Sequence, residues 1–351
     1  MLIRAKAPLR VSFAGGGTDV PPFPQAEGGC VLSATINKYA FGSLCPRDNG
    51  QIRIESLDFG LTVEYDIQTE LVYDGKLDLA KAAIRNLGGQ SCEGFDLFLH
   101  TEVPPGSGLG SSSTLMVAVV GLLKEFKRLA LTNYEIAKLA YTLERKELGI
   151  KGGLQDQYAA TFGGFNFIEF FDSRVIVNPL RISQDTINEL EHNLLLCFTG
   201  GTRLSGSIID DQTNRYQDGN EDTLSGLRSQ KQLAVEMKNA LLQARLDYFG
   251  DLLNTAWEFK KKMSPKISTS GIDELYDEAR KAGALGGKIM GAGGGGFMLL
   301  YCRFERKHQI AERLKQMGAV LSEIAFENHG LQTWRVDGSQ LALTGAGVMQ
   351  A

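Results

Sequence analysis

The segment Pro104-Pro105-Gly106-Ser107-Gly108-Leu109-Gly110-Ser111-Ser112-Ser113 sets three glycines and three consecutive hydroxyls between two patterned stretches. Before it, Phe95, Leu97 and Leu99 alternate as on one face of a strand; after it, Leu115, Val119, Leu122, Phe126 and Leu129 recur at helical spacing. A strand, a glycine turn and a helix N-terminus in that order make an anion site. The first amides of the helix point outward, its dipole favours negative charge, and glycines let backbone approach phosphate. The turn therefore predicts a phosphate cradle made by Pro105, Gly106, Ser107, Gly108, Leu109, Gly110, Ser111, Ser112 and Ser113. The hydroxyls can either cap the helix or reach a phosphate-bound Mg²⁺. No lysine follows Gly110, so this is not the Walker pattern. Alone, such a turn reads equally as an ordinary tight turn.

Glycine is the compositional outlier, at 41 of 351 residues, and the glycines cluster at 15–17, 106–110, 152–153, 163–164, 200–201, 286–287 and 291–296. Tight clusters point to backbone packed against a ligand or another strand. Apolar residues at 43% and charged residues at 22% fit a soluble globular chain long enough for two domains sharing a cleft. A net charge of −4 argues against a nucleic-acid surface. The five cysteines (30, 45, 92, 197, 302) lack C-x-x-C spacing, which suits reduced thiols and excludes a zinc framework; the four histidines are equally scattered. The N-terminus lacks a signal-peptide core, and the run Leu115 to Leu123 is under half a membrane span. The expectation is a cytoplasmic protein, monomer or homodimer, with no membrane or nucleic-acid partner.

Patterning predicts strands at Pro8–Phe13, Cys30–Ile36, Tyr39–Cys45, Gln51–Ser56, Leu61–Tyr65, Phe165–Phe171, Leu194–Phe198 and Phe297–Cys302. Asp48-Asn49-Gly50 reads as a hairpin turn. Helices are expected at Leu77–Asn86, after Ser111, from the capping box Thr132-Asn133-Tyr134-Glu135 to Gly149, and over 222–246, 248–262, 271–282 and Lys307–Met317. The pattern changes near 185, which divides the chain into 1–185 and 186–351.

On the helix 133–148, Ile136, Leu139, Ala140 and Leu143 form the apolar stripe, and Glu144 flanks it. Lys151-Gly152-Gly153-Leu154-Gln155-Asp156 then brings Asp156 to the start of a new helix. That aspartate either caps the helix or receives a hydroxyl proton as the hydroxyl attacks a phosphoryl group.

Three motifs together resemble the GHMP kinase family: Pro8-Leu9-Arg10-Val11-Ser12-Phe13-Ala14-Gly15-Gly16-Gly17-Thr18-Asp19, the turn Pro104–Ser113, and Lys288-Ile289-Met290-Gly291-Ala292-Gly293-Gly294-Gly295-Gly296-Phe297. The resemblance covers nearly the whole chain, in the family's order and spacing. It implies an α+β, two-domain fold: a ribosomal protein S5 domain 2-like N-terminal domain with a left-handed crossover, and a ferredoxin-like C-terminal domain. It implies ATP and Mg²⁺, with Ser112 and Glu144 as metal ligands, Asp156 as catalytic base and Arg10 as the cation at the transferring phosphoryl. It implies substrate contacts at Gly16, Gly17, Thr18, Asp19, Tyr158, Gly293 and Gly294. Gly15-Gly16-Gly17-Thr18-Asp19 lacks the glutamate and histidine of the galactokinase form, which leaves room for an anionic acceptor. With Thr199-Gly200-Gly201-Thr202-Arg203 it resembles the branch that phosphorylates the anomeric oxygen of a heptose 7-phosphate, with Arg203 on the sugar's phosphate. Lys260, Lys261 and Lys262 add cations but read as a solvated helix face. A neutral-sugar kinase (L-fucose or galactose) and a non-catalytic sugar sensor are the alternatives.

Overall fold

Two long strands form the spine of the first half. The computed structural model describes residues 1–88, 93–201 and 205–336. β1 (Leu2–Ala14) and β2 (Gly29–Arg47) run antiparallel, joined through the short α1 (Phe23–Glu27). The two strands expected at 30–36 and 39–45 are therefore one. Pro8 pairs with Tyr39 and Leu9 with Ile36, so Asn37 and Lys38 bulge from β2 where the alternation breaks.

β3 (Gln51–Ser56), β4 (Leu61–Asp66), α2 (Asp78–Leu87) and β5 (Gly94–Thr101) follow. The hairpin expected at Asp48–Gly50 is not one, because β5 lies between β2 and β3. Turn residues reverse the chain, but the partner is chosen by burial. The inward face of β5, Phe95, Leu97 and Leu99, is fully covered only in the centre of the sheet.

α3 (Ser111–Lys127) is buried along 113–123 on every side, as a helix apolar all round must be. α4 (Asn133–Tyr141) opens on the expected capping box. A π-helical turn (Thr142–Glu147), α5 (Gln155–Phe162), β6 (Phe165–Phe170), β7 (Val175–Pro179) and α6 (Gln184–Asn193) complete this half. The first sheet runs β4-β3-β5-β2-β1 toward the C-terminal strand, with β6 on the other end of β2 and β7 beyond it.

The second half holds β8 (Leu194–Phe198), α7 (Gly206–Gln217), α8 (Glu221–Leu242), α9 (Leu246–Met263), α10 (Ser270–Lys281), β9 (Ala284–Ile289), β10 (Phe297–Cys302), α11 (Phe304–Gln316) and β11 (Val320–Ser322). The order β11-β8-β10-β9 is antiparallel throughout. Leu196, Leu299 and Tyr301 face α8 and α9, whereas Cys197, Leu300 and Cys302 face α10 and α11. β12 (Gln332–Val336) then returns to pair with Leu2–Lys6 of β1, so the division at 185 separates the strands of the two sheets except this last one.

Phe13 stacks on Phe165 (6.4 Å between centroids) and meets Phe249 of α9 edge-on at 5.1 Å. One apolar cluster thus joins both halves and fixes the walls of the cleft between them. The cysteines at 30, 45, 197 and 302 are unpaired, and Cys92 lies outside the described residues. No helix among the described residues is long and apolar enough to cross a membrane.

Candidate active site

The phosphate turn opens α3 with Gly110 at the N-cap, φ +81°, and no side chain caps the helix. The first amides of α3 are left for a ligand. The serines work elsewhere. Ser112 Oγ donates to Glu144 Oε1 at 2.6 Å, and Ser113 Oγ accepts from Arg145 at 2.9 Å and Gln157 at 3.1 Å. Ser111 lines the cleft with Gly106, Gly108 and Gly110. Ser107 and Leu109 are buried beneath the turn.

The third glycine run supports that turn from the second half. Gly108 (φ +84°) and Gly291 (φ +67°) meet backbone to backbone: a Cβ on Gly291 would stand 2.7 Å from Cα of Gly108. No other residue type fits there without moving the chain. Phe297 N–H donates to Ser107 O at 2.9 Å. Gly293 lines the cleft, whereas Gly294 turns away and donates its N–H to Ile267 O at 2.7 Å.

Glu144 is wholly buried rather than marginal to the core. The stripe of α4 carries it there, because Ala137, Ala140 and Glu144 stand at i, i+3 and i+7 on the buried face, which the π-helical turn continues. Gln157 donates to Glu144 Oε2 at 2.6 Å and Arg145 lies 3.3 Å from Oε1. Ser112 and Glu144 together offer a hydroxyl and one carboxylate. Such an oxygen-only pair suits Mg²⁺, which takes its other ligands from phosphate and water. Among the described residues no group of three His, Cys, Asp or Glu side chains gathers into a stronger metal site.

Asp156 stands in the first turn of α5, against the phosphate turn. Its carboxyl lies so close that a Cβ on Gly110 would be 3.2 Å from Oδ2. Arg10 places Nε and Nη2 each 2.8 Å from Asp156 Oδ1, and its Nη1 donates to Gly108 O at 2.6 Å. One arginine thus ties Asp156 and the glycine turn into a single unit.

Asp19 is buried beside them, accepting from the amides of Gly17 and Gln155 at 3.1 Å each. Burial, and then the charge of Asp156, push its carboxyl above the usual range. Gly16, Gly17 and Asp19 line the cleft. Thr18 does not. Its hydroxyl lies 2.8 Å from Gly15 O and 3.0 Å from Cys30 O and accepts the Cys30 amide, closing the first glycine turn. Tyr158 is also misplaced by sequence reasoning: its ring packs with Val31, Ile168 and Phe170, edge-on to Tyr134. Residues two apart on a helix point to opposite sides, so Asp156 in the cleft puts Tyr158 in the core. Arg203 falls outside the described residues.

Lys260 corrects the reading of the lysine run. It is buried at the cleft, while Lys261 and Lys262 lie over the rings of Trp257 and Phe259. The signal was available, because Leu253, Trp257 and Lys260 share the i, i+4, i+7 stripe of α9. Lys288 stands in the third motif, and a lysine inside an apolar strand is itself a sign of a charged partner or ligand. Ser12 Oγ, Arg145 Nε and Gln155 Oε1 are buried in the same cleft without a protein partner. The cleft is built for a polar ligand.

Known proteins resemble this chain in sequence and fold. Residues 77–164 match the GHMP kinases N terminal domain and residues 237–320 the GHMP kinases C terminal domain. The D-glycero-alpha-D-manno-heptose 7-phosphate kinase of Campylobacter jejuni is 40% identical over 95% of this chain and 99% of that protein. The chain belongs to the GHMP kinase family. Among solved structures of GHMP kinases, a D-glycero-D-manno-heptose 1-phosphate kinase from Bacteriodes thetaiotaomicron superposes with a TM-score of 0.81 at 34% identity, covering 96% of this chain and 100% of that one. A bifunctional fucokinase/GDP-fucose pyrophosphorylase of Arabidopsis thaliana is 30% identical over 89% of this chain but only 31% of its own length.

Proposed function

We propose that this GHMP kinase transfers the terminal phosphoryl group of ATP to the anomeric hydroxyl of a heptose 7-phosphate. The observation that carries the reading is the Asp156–Arg10 pair, held against Gly108 and Gly110 of the phosphate turn. The two relatives named for heptose phosphate kinase activity, each matched over nearly its full length, support the acceptor.

The chemistry needs alignment and charge neutralisation more than covalent help. ATP phosphates meet the amides of Gly108, Gly110 and Ser111, with Arg145 at the side. Ser112 and Glu144 would hold Mg²⁺, which would supply screening of the phosphate charge. Asp156 Oδ2 takes the proton of the acceptor hydroxyl as that oxygen bonds to the terminal phosphorus and the bond to ADP breaks. The ring oxygen acidifies an anomeric hydroxyl, so a carboxylate suffices as base. Asp19 with Gly16 and Gly17 receives the sugar's other hydroxyls, and Arg203 its phosphate. The reading places the enzyme in the cytoplasm, where ATP is available.

A coupled ADP-release assay on heptose 7-phosphate, L-fucose and galactose is the test. The expected result is turnover with the sugar phosphate at least tenfold more efficient than with either neutral sugar, about 1.4 kcal/mol of discrimination or more. Preference for L-fucose, which the fucokinase relative makes the specific rival, rejects the assignment.

A further inference from the structure

Lys260 and Lys288 are charged side chains of the cleft to which the reading above gives no role. α9 supplies one and β9 the other; they are only 3% and 1% exposed, and both line the cleft. Among the described residues neither has a carboxylate within ion-pair distance; their partners are backbone carbonyls. Lys260 Nζ donates to Ile289 O at 3.2 Å and to Gly291 O, and Lys288 Nζ donates to Ser12 O at 2.9 Å. An ammonium has three N–H donors. One is therefore spare on Lys260 and two on Lys288. Burying two lysines beside Arg10 with no carboxylate in contact disfavours their charged forms until the working protein brings an anion to them.

The carbonyls they hold say where that anion lies. Gly291, gripped by Lys260, packs on Gly108, whose carbonyl takes Arg10. Ser12, gripped by Lys288, is two residues from Arg10 on β1 and so on the same strand face. Both ammoniums thus back the cluster of Gly108, Arg10 and Asp156. Lys151, 58% exposed and paired with Asp210 on α7, is by contrast at the rim.

We propose that Lys260 and Lys288 ligate the phosphoryl group in transit, neutralising its oxygens while the bond to ADP breaks and the bond to the acceptor forms. The proposal rests on the kinase reading. The acceptor's proton goes to Asp156, and the lysines neither give nor take one in the transfer step.

A further consequence can be measured. Burial, and then the charge of Arg10, pull the Lys260 ammonium down to about 7, with Asp19 opposing. Burial, followed by Lys260 and Arg10, also lowers Lys288 well below the ordinary lysine value. The ionisable groups acting on the pair are thus Arg10 of β1, Asp19 beyond it and, on Lys288, Lys260; α8 and β10, also packed on α9, bring none. At pH 8 Lys260 is largely without its proton, and an arriving phosphoryl group draws one onto it.

Calorimetric titration at pH 8 in two buffers of different ionisation enthalpy reads this directly, with MgATP or MgADP and no acceptor. Uptake of about one proton is expected with ATP and far less with ADP. Lys260→Met is expected to abolish the uptake, and Lys260→Met and Lys288→Met each to lower kcat about 10²-fold or more with ADP affinity kept. Lys260→Arg, which keeps a charge that does not titrate, should retain turnover within about tenfold and lose the uptake. Equal uptake with ADP and ATP, or uptake persisting in Lys260→Met, overturns the proposal. So does a loss confined to acceptor KM for the phosphorylated sugar, which assigns the lysines to the sugar's own phosphate. If wild-type protein takes up the proton with ATP yet phosphorylates no sugar, the acceptor reading fails and the lysine assignment stands. Should a Met variant not fold, the Lys260→Arg and ATP-against-ADP comparisons still decide.

Discussion

Asp156 is held by two N–H groups on one oxygen, leaving the other turned to the phosphate turn. Asp156→Asn should lower turnover by roughly 10²–10⁴ with ATP affinity little changed, as kcat and nucleotide binding measured side by side will show. Gln157 acts through Glu144, whose second oxygen it holds at 2.6 Å. Gln157→Leu is expected to raise the Mg²⁺ concentration for half-maximal rate by about 10–100-fold without moving acceptor KM. The resemblance to the GHMP kinase motifs singled out Arg10, Ser112, Glu144 and Asp156, which the fold brings to one cleft. It failed for Thr18 and Tyr158, where direction matters and spacing carries none.

Elements decide such directions. Glu144 follows the buried Ala137 and Ala140 at helical spacing and so turns inward, although nothing in Thr142–Glu147 distinguishes its π-helical turn from the α-helix the apolar stripe implied. Gly152-Gly153 shows the opposite case, a sequence feature with a clear structural meaning. A Cβ on Gly153 would fall 1.9 Å from Asp19 Oδ2, so the glycine exists to let the first motif touch the start of α5. Gly153→Ala should displace Asp19 and raise acceptor KM about tenfold or more, while ATP affinity, governed by the turn that opens α3, changes little. Steady-state kinetics with each substrate varied separates the two effects.

At the scale of the molecule, one apolar cluster and one returning strand hold the halves together. Ending the chain after Gly330 removes β12 and leaves β1 an open edge, and it strips Leu331 from Gly121 of α3. Thermal unfolding should fall by several degrees against a chain ending at Val336, about 1–3 kcal/mol for a domain of this size. Lys260 adds a pH dependence. Its folded value of about 7 lies below its ordinary 10.5, so the unfolded chain binds more protons between them and stability rises with pH across that window. Wild-type protein should gain on Lys260→Met by about 1.4 kcal/mol per pH unit at most. Urea unfolding at pH 7 and pH 9 measures it; a gain toward acid would contradict the buried-cation picture.

The order of residues along the chain was sufficient for the glycine turn that opens α3 and the capping box of α4, because each depends on local backbone chemistry, whereas Arg10, Glu144 and Asp156 stood out only through the resemblance to the GHMP kinase motifs. It was insufficient for the insertion of β5 between β2 and β3, the joining of two predicted strands into β2, the return of β12 and the burial of Lys260. Those outcomes depend on which apolar faces, distant in sequence, cover one another. Local spacing fixes a side chain's height on its element, but only packing sets which way the element is turned.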